Sequence, residues 1–137
     1  MKIKLVLSGS GTLYPVHVGA LIRLAEAGYE FEEICGTSGG SIVAAALASG
    51  YKPNHELVNL IKKTLPHKNN LAHMSLLNLI TKLGLINGDK IERLLEKYLV
   101  PTLGEATMPI HIVTTNVDQK TMIVFESVSE IPFAILR

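Results

Sequence analysis

Gly36-Thr37-Ser38-Gly39-Gly40 stands between a short apolar run, Ile34-Cys35, and an Ala-rich run from Ser41 to Ser49. That order reads as strand, sharp turn and helix, with a serine at the apex. The G-x-S-x-G pattern suits such a corner, because the serine must occupy a strained backbone position that projects its hydroxyl into open space. Gly36, Gly39 and Gly40 keep side chains out of the crowded turn. The helix that follows aims its N-terminus at the corner and favours negative charge developing there. An ordinary tight turn is the other reading of these five residues, and the strand before and helix after them favour a nucleophile.

The rest of the chain supplies a frame for that corner. Ile3 to Leu7 is apolar and β-rich, bounded by Ser8-Gly9, and reads as a buried strand. Gly9-Ser10-Gly11-Thr12 is a tight loop. Pro15 suits the first turn of a helix running to about Ala27, with Val18, Leu21, Ile22 and Leu24 on its inner side and Gly28 ending it. Phe31 to Cys35 is a second strand leading to Ser38. The first half is therefore β-α-β-α, which implies parallel strands joined by a right-handed crossover. Asn54 is placed to cap a helix from His55 to Leu65, followed by a polar loop from Pro66 to Asn70. A short apolar helix is expected from Ser75 to Leu83, ended by Gly84. Another begins at Asn87 or Asp89, with Ile91, Leu94, Leu95 and Leu99 at helical spacing. This middle block is either a cap over a site or a set of plain packing helices. Ile110 to Thr114 and Thr121 to Phe125 read as two more strands, joined by the polar turn Asn116 to Lys120. The fold class expected is α/β, a three-layer α/β/α arrangement around a mainly parallel sheet.

Composition narrows the function. With 137 residues the chain holds one domain with one core. A formal net charge of +1 gives no general affinity for nucleic acid. No apolar run is long enough to span a bilayer. The single Cys35 forms no internal disulfide and is expected to pack as a small buried residue beside the turn. The basic-then-apolar start, Met1 to Leu7, is too short for a secretory signal. A cytoplasmic protein is therefore expected, and peripheral membrane contact and export without such a signal both stay open. His55, His67 and His73 lack metal-ligand spacing on one face, so neither a metal nor another cofactor is expected.

Two glycine loops follow two adjacent parallel strands. Strand ends of such a sheet open on one edge, where ligands bind. Gly9, Ser10, Gly11 and Thr12 are thus expected beside Ser38, where Gly9 and Gly11 allow backbone N–H groups to fan outward. Amides placed in advance around a developing oxyanion are worth on the order of 3–4 kcal/mol each. Two glycines that merely make a strand-to-helix turn are the plainer alternative. His17, one turn into the first helix, is expected to hydrogen-bond the loop in a structural role. Asp118 is expected to be a turn former and His111 a strand residue.

LVLSGSGTLYPVHVGALIRLAEAGYEFEEICGTSGGSIVAAALASG resembles the opening of a patatin-like phospholipase domain, with weaker similarity through GLINGDKIERLLEKYL and PIHIVTTNVDQKTMIVFES. The resemblance covers nearly the whole chain, but only the first fifty residues are specific. It implies a lipid acyl hydrolase with a Ser-Asp dyad, acting on a lipid or other acyl ester, in some cases at a membrane surface. Ser38 is then the nucleophile, residues Gly9 to Thr12 the oxyanion loop, and Gly36, Gly39 and Gly40 the nucleophile elbow. This chain departs from the family pattern in three places: Ser10 stands where a third glycine is usual, Leu13 replaces a basic residue and Tyr14 a glycine. The family's base is an Asp in an Asp-Gly-Gly or Asp-Gly-Ala motif after the last strand pair, and no such motif occurs here. Residues 1–137 are therefore expected to be a single domain of this type, incomplete at its C-terminal end. A catalytically inactive lipid-binding or interaction protein of the same fold is the alternative. A nucleotide-binding module is a weaker one: Tyr14 occupies the third glycine of G-x-G-x-x-G, and there is no Walker lysine.

Overall fold

The computed structural model describes residues 1–64 and 89–127. The helix expected from Ser75 to Leu83 and the loop from Pro66 to Asn70 lie outside these residues, as do His67 and His73. Four strands form one sheet in the order β1 (Lys2–Leu7), β2 (Glu30–Thr37), β3 (Ile110–Asn116) and β4 (Thr121–Glu126). The first three are parallel and β4 turns back antiparallel on β3, so the sheet is the mainly parallel one expected.

Helix α1 (Pro15–Glu26) begins on its proline and ends before Gly28, whose φ of +82° lets the chain reverse into β2. Helix α2 (Gly39–Ala48) is buried almost throughout. Its alanines let it lie close on the sheet, above all over Gly36, where a Cβ would stand 2.7 Å from Ser41 Cα. Helix α3 (His55–Thr64) starts as expected on Asn54, whose Oδ1 accepts the Glu56 N–H at 2.8 Å. Helix α4 (Asp89–Tyr98) packs on α3 through its buried Leu95.

Side chains alternate along each strand, and an extra residue in β2, Glu32, between the pairs Ile3–Phe31 and Lys4–Glu33 resets the alternation there. Leu5, Leu7, Phe31, Ile34, Ile110, Ile112 and Phe125 thus share one face and join Val43, Leu47, Leu21 and Leu57 in a single core. The opposite face carries Lys4, Val6, Glu33, Cys35 and His111 and contributes nothing to that core. Cys35 is accordingly half-buried rather than enclosed. On this face Glu33 bridges two strands, meeting Lys4 Nζ at 2.5 Å and His111 Nε2 at 2.8 Å.

The Lys4 ammonium, and then the His111 ring, hold the Glu33 carboxyl below its ordinary 4.5. A depressed carboxylate stabilises the fold fully above its unfolded value and loses that contribution as pH falls through the lower folded value. Stability is therefore expected to decline below about pH 4.5, and Glu33→Gln to flatten that decline in urea titrations across pH 2–6. An unchanged slope in the variant would remove Glu33 from the account.

Candidate active site

β2 runs on through Gly36 and Thr37, two residues past its expected end, and α2 starts at Gly39, two residues early. Ser38 alone makes the corner. Its backbone sits at φ 50°, ψ −127°, a region an L-residue occupies only under strain. The corner is clamped from both sides. Ser41 donates to the Ser38 carbonyl through its N–H at 3.0 Å and its hydroxyl at 2.5 Å. Thr37 Oγ1 donates to the Val113 carbonyl at 3.0 Å, tying the end of β2 to β3. Ser38 itself is exposed.

The two glycine loops meet. A Cβ built on Gly9 would stand 3.4 Å from Ser38 Cβ and 4.0 Å from its Oγ, so the loop backbone passes directly beside the hydroxyl. One on Gly40 would fall 2.3 Å from the Leu7 carbonyl oxygen and 2.6 Å from that of Ser8. One on Gly39 would fall 2.8 Å from the Gly11 oxygen and 2.9 Å from Ser10 Oγ. The contact between loop and elbow therefore exists only because Gly39 and Gly40 lack side chains. Gly11 takes φ +51° and opens a single 3-10 turn, Gly11–Leu13. That turn closes through Leu13 N–H to the Ser10 carbonyl at 2.8 Å, using the amide of Leu13 and not those of residues 9–12. Ser10 Oγ is sealed in this seam without a hydrogen-bond partner.

His17 reaches back to the loop, its Nε2 3.1 Å from the Ser8 carbonyl, so Nε2 carries the proton. His17→Ala is expected to cost about 1 kcal/mol in denaturant stability. In amide exchange, protection should fall first in residues 8–13. Asp118 is exposed, and the β3–β4 turn is held by its neighbours instead: Asn116 Oδ1 accepts the Gln119 N–H at 3.0 Å.

Tyr14 and Thr64 are the contributors that sequence reading missed. Tyr14 is buried against Gly39. Its hydroxyl lies 3.3 Å from Thr64 Oγ1, which spends its own proton on the Ile61 carbonyl; Tyr14 is therefore the donor. Burial pushes the phenol pKa up, and the Thr64 contact opposes the rise. The signal available was Tyr14 four positions before Val18, an apolar pair at helical spacing. A shallow concavity of about 470 Å³ lies at the far end of α2, lined by Ser49, Tyr51, Glu56, Lys97 and Tyr98, and has no part in this site. Among the described residues, no group of His, Cys, Asp and Glu is arranged to hold a metal ion. No described helix is long and apolar enough to cross a membrane.

A parallel α/β sheet with a strained serine corner and a glycine loop side by side at its carboxyl edge defines the class of this protein. The chain belongs to the patatin-like phospholipase family, whose model matches residues 5–128. It is 36% identical over 100 residues to the uncharacterized protein YqhO of Bacillus subtilis, covering 68% of this chain and 34% of that one. It is 44% identical over 54 residues to the triacylglycerol lipase ptl3 of Schizosaccharomyces pombe, covering 39% and 11%. The chain thus spans about a third, or less, of the curated relatives it matches. A chain of the heterodimeric ExoU–SpcU complex of the Pseudomonas aeruginosa type III secretion system aligns at a TM-score of 0.48 and 21% identity, over 90% of this chain and 32% of that one.

Proposed function

We propose that this stretch is the nucleophile-bearing part of a lipid acyl hydrolase. Ser38 Oγ attacks the carbonyl carbon of a lipid ester and gives its proton to a base. The carbonyl oxygen, now an oxyanion, is received by amides of the Gly9–Thr12 loop. Collapse breaks the bond to the leaving alkoxide, which takes up a proton, and water then hydrolyses the acyl-Ser38 ester. The observation that carries this reading is the approach of Gly9 to the strained, exposed Ser38. A glycine-loop backbone passing beside a hydroxyl is the arrangement in which loop amides and nucleophile share one reacting carbonyl.

The base of the proposed Ser-Asp dyad is an aspartate of an Asp-Gly-Gly or Asp-Gly-Ala motif. The 137 residues contain only Asp89 and Asp118, neither in such a motif. A serine hydroxyl without a base is a poor nucleophile, so the reading places the acceptor beyond these residues, consistent with a relative of which the match spans only 34%.

A fluorophosphonate probe tests the assignment. The full-length protein is expected to be labelled at Ser38 and the Ser38→Ala variant to be unlabelled. Absence of labelling in the full-length protein would leave the non-catalytic lipid-binding reading in its place.

A further inference from the structure

We propose that the side-chain hydroxyl of Ser10 is a positioning group for the transition state at Ser38, a proton donor kept without an acceptor until negative charge forms beside it. This deepens the reading of Ser38 as an acyl-transfer nucleophile and rests on it. The observation behind it is an orphan. Among the described residues, Ser10 Oγ alone of the buried side-chain oxygens and nitrogens lacks a hydrogen-bond partner. Buried hydroxyls are nearly always paired, and one left unpaired destabilises the fold. Elsewhere this chain pairs them readily. Thr64 Oγ1 donates to the Ile61 carbonyl and Tyr14 to Thr64, while the half-buried Ser49 and Thr107 hydroxyls donate to carbonyls of α2.

The orphan lies at the reaction site. Ser10 follows Gly9, whose backbone passes beside the Ser38 hydroxyl. A Cβ on Gly39, the residue after the nucleophile, would fall 2.9 Å from Ser10 Oγ and 3.0 Å from Tyr14 Cβ. The hydroxyl therefore rests against the first residue of α2, at the helix end that favours negative charge. The loop makes no structural use of it. Ser10 is the N-cap of the 3-10 turn Gly11–Leu13, where a serine side chain would ordinarily accept a backbone N–H, and it makes no such bond. Glycine is usual at this place in the family pattern, so the turn itself requires no side chain.

An unpaired hydroxyl has a freedom that a paired one lacks. Its proton swings about the Cβ–Oγ bond without breaking a hydrogen bond. When Ser38 Oγ adds to the ester carbonyl carbon and its proton passes to the base, the carbonyl oxygen becomes an oxyanion beside the loop. The Ser10 O–H dipole then turns its positive end toward that charge. A sealed seam screens such a dipole poorly, so it counts for more there than in water. Ser10 Oγ is closed off from substrate. It acts through the loop and the Ser38–Gly39 peptide that it backs, which makes it a positioning residue and not a catalytic one. The interaction strengthens with the charged state and not with the neutral ester, so it lowers the barrier without tightening substrate binding.

Ser10→Ala in the full-length protein tests this, since it removes the hydroxyl and nothing else. The variant is expected to melt a few degrees above the wild type, because the unpaired group is gone. Its kcat on a soluble short-chain ester is expected to fall about tenfold, less than the roughly 10²–10³-fold of a donor that touches the oxyanion. KM is expected to stay within about twofold of the wild type. Inhibition by a trifluoromethyl ketone, whose adduct with Ser38 carries the same oxyanion but has no leaving group, is expected to weaken by the same factor as kcat. Ser10→Gly, which also lacks the hydroxyl, is expected to show both kinetic losses. Wild-type kcat in these variants, a rise in KM in place of the fall in kcat, unchanged inhibition, or lost turnover together with a lower melting temperature in Ser10→Ala would each overturn the proposal and leave Ser38 as the nucleophile. A wild-type protein neither labelled by the fluorophosphonate nor active on esters would overturn the catalytic reading, and this proposal with it.

Discussion

Gly40→Ala is expected to destabilise the protein by on the order of 3 kcal/mol, lowering the melting temperature by roughly 10 °C. The added methyl would sit 2.3 Å from the Leu7 carbonyl oxygen, 2.6 Å from that of Ser8 and 2.7 Å from the Leu7 carbonyl carbon. All three are backbone atoms, so no rotamer change relieves the overlap. β1 is held by its register with β2, Leu7 opposite Gly36, and α2 is seated over β2, so neither partner yields cheaply. Gly19→Ala is the control. Gly19 lies within α1 with nothing within 4 Å of the new methyl, and the change is expected to add up to about 1 kcal/mol through helix propensity. Thermal unfolding of the two variants side by side decides the matter. Equal melting temperatures would mean that loop and elbow do not touch as described.

Ser38→Gly is expected to separate stability from activity. An L-residue at φ 50°, ψ −127° is strained, at a cost of about 1–3 kcal/mol. Glycine relieves the strain and gives back about 0.4–1 kcal/mol through its freer unfolded chain. A net gain of about 1 kcal/mol follows from those two ranges, together with a loss of ester turnover on the order of 10⁴–10⁶-fold. Ser38→Ala keeps the Cβ and hence the strain. It is expected to lose the same activity while staying within about 0.5 kcal/mol of the wild type. Denaturant midpoints of the three proteins measure the strain directly. A Ser38→Gly protein less stable than Ser38→Ala contradicts the idea that the fold holds this residue against its own preference.

Both variants probe contacts that the chain advertises unevenly. The corner was legible because it is local: an apolar strand, a serine flanked by glycines and an Ala-rich helix are contiguous in the chain. The boundaries were misjudged by two residues at each side because Gly39 and Gly40 look like turn residues. Here they open α2, where the Gly11 carbonyl and Ser10 hydroxyl at Gly39, and the Leu7 and Ser8 carbonyls at Gly40, leave no room for side chains. Tyr14 looked like a departure from a glycine pattern. Its place beneath the elbow depends on Thr64, fifty positions away. The Lys4–Glu33–His111 bridge was hidden for the same reason, since its members join only through strand register.

Local chemistry along the chain was enough to specify the strand and helix types, the parallel crossover, the Asn54 cap and the family. These follow from periodicity, from glycine and proline backbone limits and from short-range hydrogen bonding, all of which act within a few residues. Tertiary packing alone decided which glycines are compulsory, which sheet face is buried, and that the Ser10 hydroxyl is sealed against Gly39 without a partner. Those outcomes depend on excluded volume and burial between segments remote in sequence, and no local pattern encodes a distance of that kind.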